Sequence, residues 1–247
     1  MKSFAILSSV VALSLLAGCE APKSTFMPPN MITSPYDATV GDVLWAVVPP
    51  RNESGTSLVD PNAFGDKIVA AVTEIRGVTA LPVNRTLAAM RALQMESVNS
   101  PQDVRKLAET MGVDAVLIGS ITAWDPYNPP VIGISLALYA RTGRLQPQGP
   151  ELNPKALSSA ATDAKFLAHS NFGSSPVSVA SEHLDARNHQ VKLFVKEFAQ
   201  GRSETGTALD WHIYFASMDL YTTFAAYHTV RQVMENEWLR TSRAAAE

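Results

Sequence analysis

The chain has 247 residues, 46% of them hydrophobic and 17% charged, which is too apolar for a disordered polypeptide and enough for one or two packed domains. A formal net charge of -3 with no clustered Lys and Arg excludes a surface built to neutralise nucleic-acid phosphates. The single cysteine, Cys19, excludes an intramolecular disulfide and a thiolate zinc site, so the core is expected to hold by packing.

Lys2 precedes an apolar or small run over residues 4–16 (FAILSSVVALSLL), which ends in Leu16-Ala17-Gly18-Cys19. That run is too short to span a membrane as a mature helix. The segment resembles a bacterial lipoprotein signal with its lipobox. This implies removal of residues 1–18, acylation of Cys19, and attachment to membrane lipid through several acyl chains. Glu20 stands where an Asp would favour the inner membrane, which implies an outer-membrane protein facing the periplasm.

Residues 19–41 carry Pro22, Pro28, Pro29 and Pro35 and read as a tether. Residues 43–48 (VLWAVV) are continuously apolar and stop at Pro49-Pro50, the pattern of a strand covered on both faces. Asp60-Pro61 is an N-cap followed by proline, and Phe64, Ile68, Val72 and Ile75 form a helical stripe before Gly77. Residues 78–83 are extended, and Leu87, Met90 and Leu93 predict a short helix. Ser100-Pro101-Gln102-Asp103 has the form of a capping box, and Val104, Leu107, Ala108 and Met111 carry that helix to a C-terminal Gly112. Residues 115–123 and 131–138 predict an antiparallel hairpin about a proline-rich turn, with Ile132, Ile134, Leu136 and Leu138 on one face. Together, residues 42–145 predict an α/β domain with a mixed sheet and packed helices.

Residues 146–180 are rich in Pro, Ser and Asn and read as a flexible linker, with no strand expected within them. Residues 181–247 read as a helical extension, because Val191, Phe194, Val195 and Phe198 recur at helical spacing and residues 209–240 follow suit. Nine aromatic residues fall within 194–238, more than two isolated helices can bury on themselves. They either cover the sheet or meet a partner. Trp211, Tyr214, Phe215, Tyr221 and Phe224 are the candidate partner-binding residues.

The segment at 107–122 (LAETMGVDAVLIGSIT) is similar to one shared by a group of envelope proteins that includes the CsgG secretion lipoprotein, the TolB N-terminal domain and LpoB. The run at 47–54 (VVPPRNES) and the turn at 141–145 (RTGRL) also resemble theirs. The resemblance covers residues 42–145. It implies a CsgG/TolB-N-like α/β fold and a non-enzymatic module that binds other envelope proteins, without a catalytic residue to carry over. Residues 42–145 contain no pair of pore-forming hairpin segments. Self-association into a secretion ring remains an alternative.

Gly119-Ser120 lacks the second glycine of a nucleophile elbow, since Thr122 stands in its place, and no phosphate-binding loop follows a strand. Neither a catalytic residue nor a cofactor is expected. His169, His183, His189, His212 and His228, with Asp185, raise the further alternative of a metal-dependent hydrolase, but their spacing matches no metal-binding pattern. Asp114 and Asp125 stand where turns favour Asp for local hydrogen bonds.

Overall fold

The computed structural model describes residues 29–36, 41–141, 145, 173–203 and 208–244. Cys19 and the lipobox, residues 146–172 of the expected linker, and His169 lie outside the described residues. The strands in chain order are β1 (Ile32–Thr33), β2 (Val43–Val47), β3 (Arg51–Asn52), β4 (Ile75–Arg76), β5 (Val78–Leu81), β6 (Ala115–Asp125), β7 (Val131–Ala140) and β8 (Ser178–Asp185). The helices are α1 (Pro61–Thr73), α2 (Val83–Ala92), α3 (Pro101–Met111), α4 (His189–Ala199), α5 (Ile213–Ala216) and α6 (Met218–Ala244).

The helix starts are set by local chemistry. Asp60 caps α1 by accepting from the amides of Asn62 and Ala63, at 2.8 and 3.3 Å. Ser100 and Asp103 satisfy each other's backbone amides at the start of α3, the capping box read from the sequence. Gly112 ends that helix at a φ of 66°, a conformation in which a Cβ would be strained.

The main sheet runs β5-β2-β6-β7-β8, with β3 alongside β6. Strands β5, β2 and β6 are parallel, whereas β6, β7 and β8 are antiparallel, so the sheet is mixed as expected. Trp45 and Ala46 feed cores on opposite faces of the sheet, and both are buried. This two-sided burial is why β2 lacks any polar alternation. On one face lie α1, α4 and α6, packed over Leu117, Ile134 and Leu136. On the other lie α2 and α3, whose Met90 and Leu107 pack over Ala46 and Val116.

Three expectations are corrected. The linker does not extend to residue 180, because β8 begins at Ser178 and pairs with β7 from Leu138↔Ser178 to Val131↔Asp185. Its apolar alternation was hidden because Glu182 interrupts Ala180 and Leu184 on the covered face. The C-terminal region is not purely helical, since β8 supplies its first residues, and its aromatic residues mostly cover the sheet, one of the two outcomes expected for them. Val191, Phe198, Tyr221, Phe224 and Val233 belong to the same apolar core as Trp45 and Ile134. Finally, residues 29–36 of the tether are structured. Strand β1 pairs in parallel with β4, and Tyr36 is buried in the core.

Candidate functional site

The partner-binding expectation is corrected for three of its five aromatic residues. Tyr214, Tyr221 and Phe224 are buried within this chain, leaving no ring surface for another molecule. The Tyr221 hydroxyl donates to the Leu184 carbonyl of β8 at 3.0 Å, and burial pushes its pKa far up. Phe198 packs edge-on against Tyr214 and Phe224, with centroids 5.4 and 5.7 Å away. The aromatic density therefore serves mainly to seat α6 on the sheet. Trp211 and Phe215 are half-buried, in a T-shaped pair at 5.7 Å, and retain some open surface.

The described histidines are dispersed. His183 points outward from β8, His189 opens α4 and His212 is exposed. His228 is buried beneath Phe194, whose ring centroid is 4.5 Å away. Burial, with a smaller contribution from Arg231, lowers its pKa to about 4. The imidazole is thus uncharged at neutral pH, and its 3.9 Å approach to the Glu182 carboxylate is not an ion pair there. Among the described residues, no three His, Cys, Asp or Glu side chains are grouped so that they could hold a metal ion.

The acids named from the sequence do local work. Asp114 accepts from the Leu44 amide at 3.1 Å and so ties β6 to β2, and Asp125 accepts from the Tyr127 amide at 3.1 Å within its turn. Asp185 is bonded to Arg187, whose guanidinium holds the carboxyl below its usual range.

What the fold leaves open is an apolar hollow of about 510 Å³ where the start of α1, the β6–β7 turn and the start of α6 converge. Its floor is Phe64 and Trp124, tilted at 60° with centroids 6.2 Å apart. Leu58 and Tyr127 stand on its rim, 64% and 75% exposed. Lys67 of α1 and Asp219 of α6 close one side with an ion pair at 2.8 Å. Large apolar side chains held this far into water around a concavity mark a contact surface, since no packing among the described residues explains their placement. A second hollow, about 530 Å³, lies beyond the end of β2 near the start of α3. It is more polar, and Arg51 there is already bonded to Asn99 and Glu53.

No family model matches this chain, and no curated protein sequence matches it. Among solved structures it is similar to lipoprotein GNA1162 from Neisseria meningitidis, at 16% identity over 67% of this chain and 99% of that chain, with a TM-score of 0.40. It is also similar to the LpoB C-terminal domain from Escherichia coli, at 17% identity over 41% of this chain and 76% of that chain, with a TM-score of 0.32. A PelC dodecamer from Paraburkholderia phytofirmans matches at 18% identity over 45% and 68%, with a TM-score of 0.27. At this level of identity and superposition, the functions of those proteins are not carried over to this chain.

Neither Leu58 nor Tyr127 was among the residues singled out in the sequence. Tyr127 carried a readable signal, because an aromatic between Pro126 and Asn128 in a tight turn has little to pack against. Leu58 carried none. It follows a Ser/Thr-rich loop, and its exposure depends on where α1 sits.

Proposed function

We propose that this chain is a lipid-anchored protein of the bacterial cell envelope, facing the periplasm, that works by binding another envelope protein and catalyses no reaction. The anchor is the acylated Cys19, and Glu20 after it fits delivery to the outer membrane. The observation that carries the binding half of this reading is the hollow rimmed by Leu58 and Tyr127. An apolar side chain of the partner would fill it and cover Phe64 and Trp124, in the manner of a buried interface anchor surrounded by a polar rim. Lys67 and Asp219 would supply that rim.

The test has two parts. Mass spectrometry of the mature protein should find residue 19 at the amino terminus carrying acyl chains. Photo-cross-linkers placed at residues 58 and 127 in cells should capture the same envelope protein. A cross-linker at Arg91, exposed on α2, should not capture it, and Leu58→Glu should abolish capture at 127 without changing the amount of protein. An unmodified chain that begins at Met1 and remains in the cytosol defeats the anchor. Cross-links at 58 and 127 exclusively to a second copy replace the adaptor with a self-assembling ring.

A further inference from the structure

We propose that Met31, Trp238 and Leu239 form a surface that rests on the lipid leaflet holding the anchor, so that the protein lies against its membrane in one orientation. The proposal rests on the acylation of Cys19 argued above and adds to it a second contact, made by the folded part of the chain.

Residues 29–36 are fixed along α6. The Tyr227 hydroxyl donates to the Asn30 carbonyl at 3.1 Å, the Trp238 indole donates to the Thr33 carbonyl at 2.9 Å, and the Tyr36 hydroxyl donates to Glu237 at 3.1 Å. The arm therefore runs along the longest helix, from Tyr227 at its middle to Glu237 and Trp238 in its last turns. From Cys19 to residue 29 is ten residues, which when fully extended reach at most about 35 Å. The point at which the arm meets α6 thus lies within about 35 Å of the leaflet, near enough to rest on it.

Three large apolar side chains are left in water at that point. Met31 is 72% exposed, Trp238 49% and Leu239 55%. Met31 and Trp238 share the wall of a hollow of about 300 Å³, and Leu239 is the next residue on the helix. The chemistry suits an interface between headgroups and acyl chains. The indole N–H of Trp238 is already satisfied, so its free surface is apolar, and Trp is the side chain best adapted to this depth. The acids beside it are paired, since Arg231 bonds Glu235 at 2.9 Å and Glu197 at 3.0 Å. Arg243, exposed one turn further along, is placed to meet lipid phosphates. No helix among the described residues is long and apolar enough to cross a membrane, so the contact lies in the plane of the leaflet.

The experiment uses the full mature acylated protein in vesicles of phosphatidylethanolamine and phosphatidylglycerol, with a fraction of the lipid brominated in its acyl chains. Tryptophan fluorescence should be quenched on reconstitution, and Trp238→Phe should remove that quenching. A Met31→Ser, Leu239→Ser variant, which keeps Trp238, should reduce it at least two-fold. All forms should float with the vesicles and retain native circular dichroism. A protein that floats but shows the same quenching with and without Trp238, or none, overturns the contact while leaving the anchor in place. A cross-link from residue 238 to a second copy on the vesicle also overturns it. A chain without acyl groups that fails to float removes the anchor and the contact together.

Discussion

Glu237 is fully buried, and its carboxylate is held from two sides. Arg240 bonds both of its oxygens, at 2.9 and 2.8 Å, and the Tyr36 hydroxyl donates from the arm. Burial and the neighbouring carboxylate push the Tyr36 pKa far up, so the phenol stays protonated and remains a donor. Arg240 also reaches the Leu145 carbonyl at 2.7 Å, so one ion pair fastens two segments distant in sequence to α6. Arg240→Ala would leave a carboxylate buried without its cation. Because the guanidinium is about one-third open to water, the expected loss is about 2–3 kcal/mol, at the lower end of values for broken buried pairs, read from the urea midpoint. Glu237→Leu combined with Arg240→Met should recover most of it, since an apolar pair asks no desolvation of charge.

His228 gives the molecule a pH dependence whose sign follows from burial. Its pKa is about 4 in the folded chain against 6.5 when free, so the unfolded chain binds the extra proton between those values. Stability is full above pH 6.5, falls as the pH drops toward 4, and levels off below. A shift of that size corresponds to about 3 kcal/mol. Glu182 faces His228, and its burial raises its pKa, which acts in the opposite direction over the carboxylate range. Glu197, Arg231 and Glu235 complete the charged surroundings. Thermal melts across pH 4–7 should show the decline, and His228→Phe, which keeps the packing on Phe194, should flatten it.

At the scale of elements, the closest packing is within the β6–β7 hairpin. A Cβ built on Gly119 would come within 2.6 Å of both the Leu136 side chain and the Ser135 carbonyl. Gly119→Ala should therefore cost about 1–3 kcal/mol by forcing the two strands apart, measurable as a lowered Tm. On the other side of the core, Phe198 joins α4 to α5 and α6. It lies 4.9 Å from Tyr227 as well as touching Tyr214 and Phe224, and the Arg202 guanidinium sits 4.4 Å over its ring. Phe198→Ala should destabilise the chain by about 3–5 kcal/mol, whereas Trp211→Ala, at a half-buried ring, should cost clearly less. Equal losses would mean that α5 is packed more deeply than its exposure indicates.

At the scale of the whole molecule, α6 closes the core. It packs against α1, β7 and β8, and its buried side chains are the covering layer for the antiparallel half of the sheet. A chain truncated after residue 208 would expose Ile134, Leu136 and Leu184 to water and should lose cooperative unfolding, seen as a broad thermal transition and rapid proteolysis. Survival of a sharp transition would show that the sheet folds without α6, as the sequence reading of a separate α/β domain implies.

The local elements were legible because their causes are local. Asp60, the Ser100–Asp103 pair and Gly112 act on amides and dihedrals within a few residues, and the apolar periods of β2, α3 and β7 announce how each element is buried. Strand β8 was not legible, because Glu182 sits on its covered face and its pairing with β7 spans the long Pro/Ser/Asn stretch. Nor was the division of the aromatic residues. Tyr221 and Trp211 look equally suited to a partner as types, and only the seating of α6 on the sheet decides that one is core and the other partly open. The hollow under Leu58 and Tyr127 belongs to the same class of fact, since it exists where α1, a turn and α6 meet. By itself the sequence determined the helices and most of the strands of residues 42–145 and that the sheet is mixed, for those preferences are written in spacing and caps. Tertiary structure alone decided which apolar side chains remain facing water, because exposure is settled by the elements that pack nearby, however far away they are along the chain.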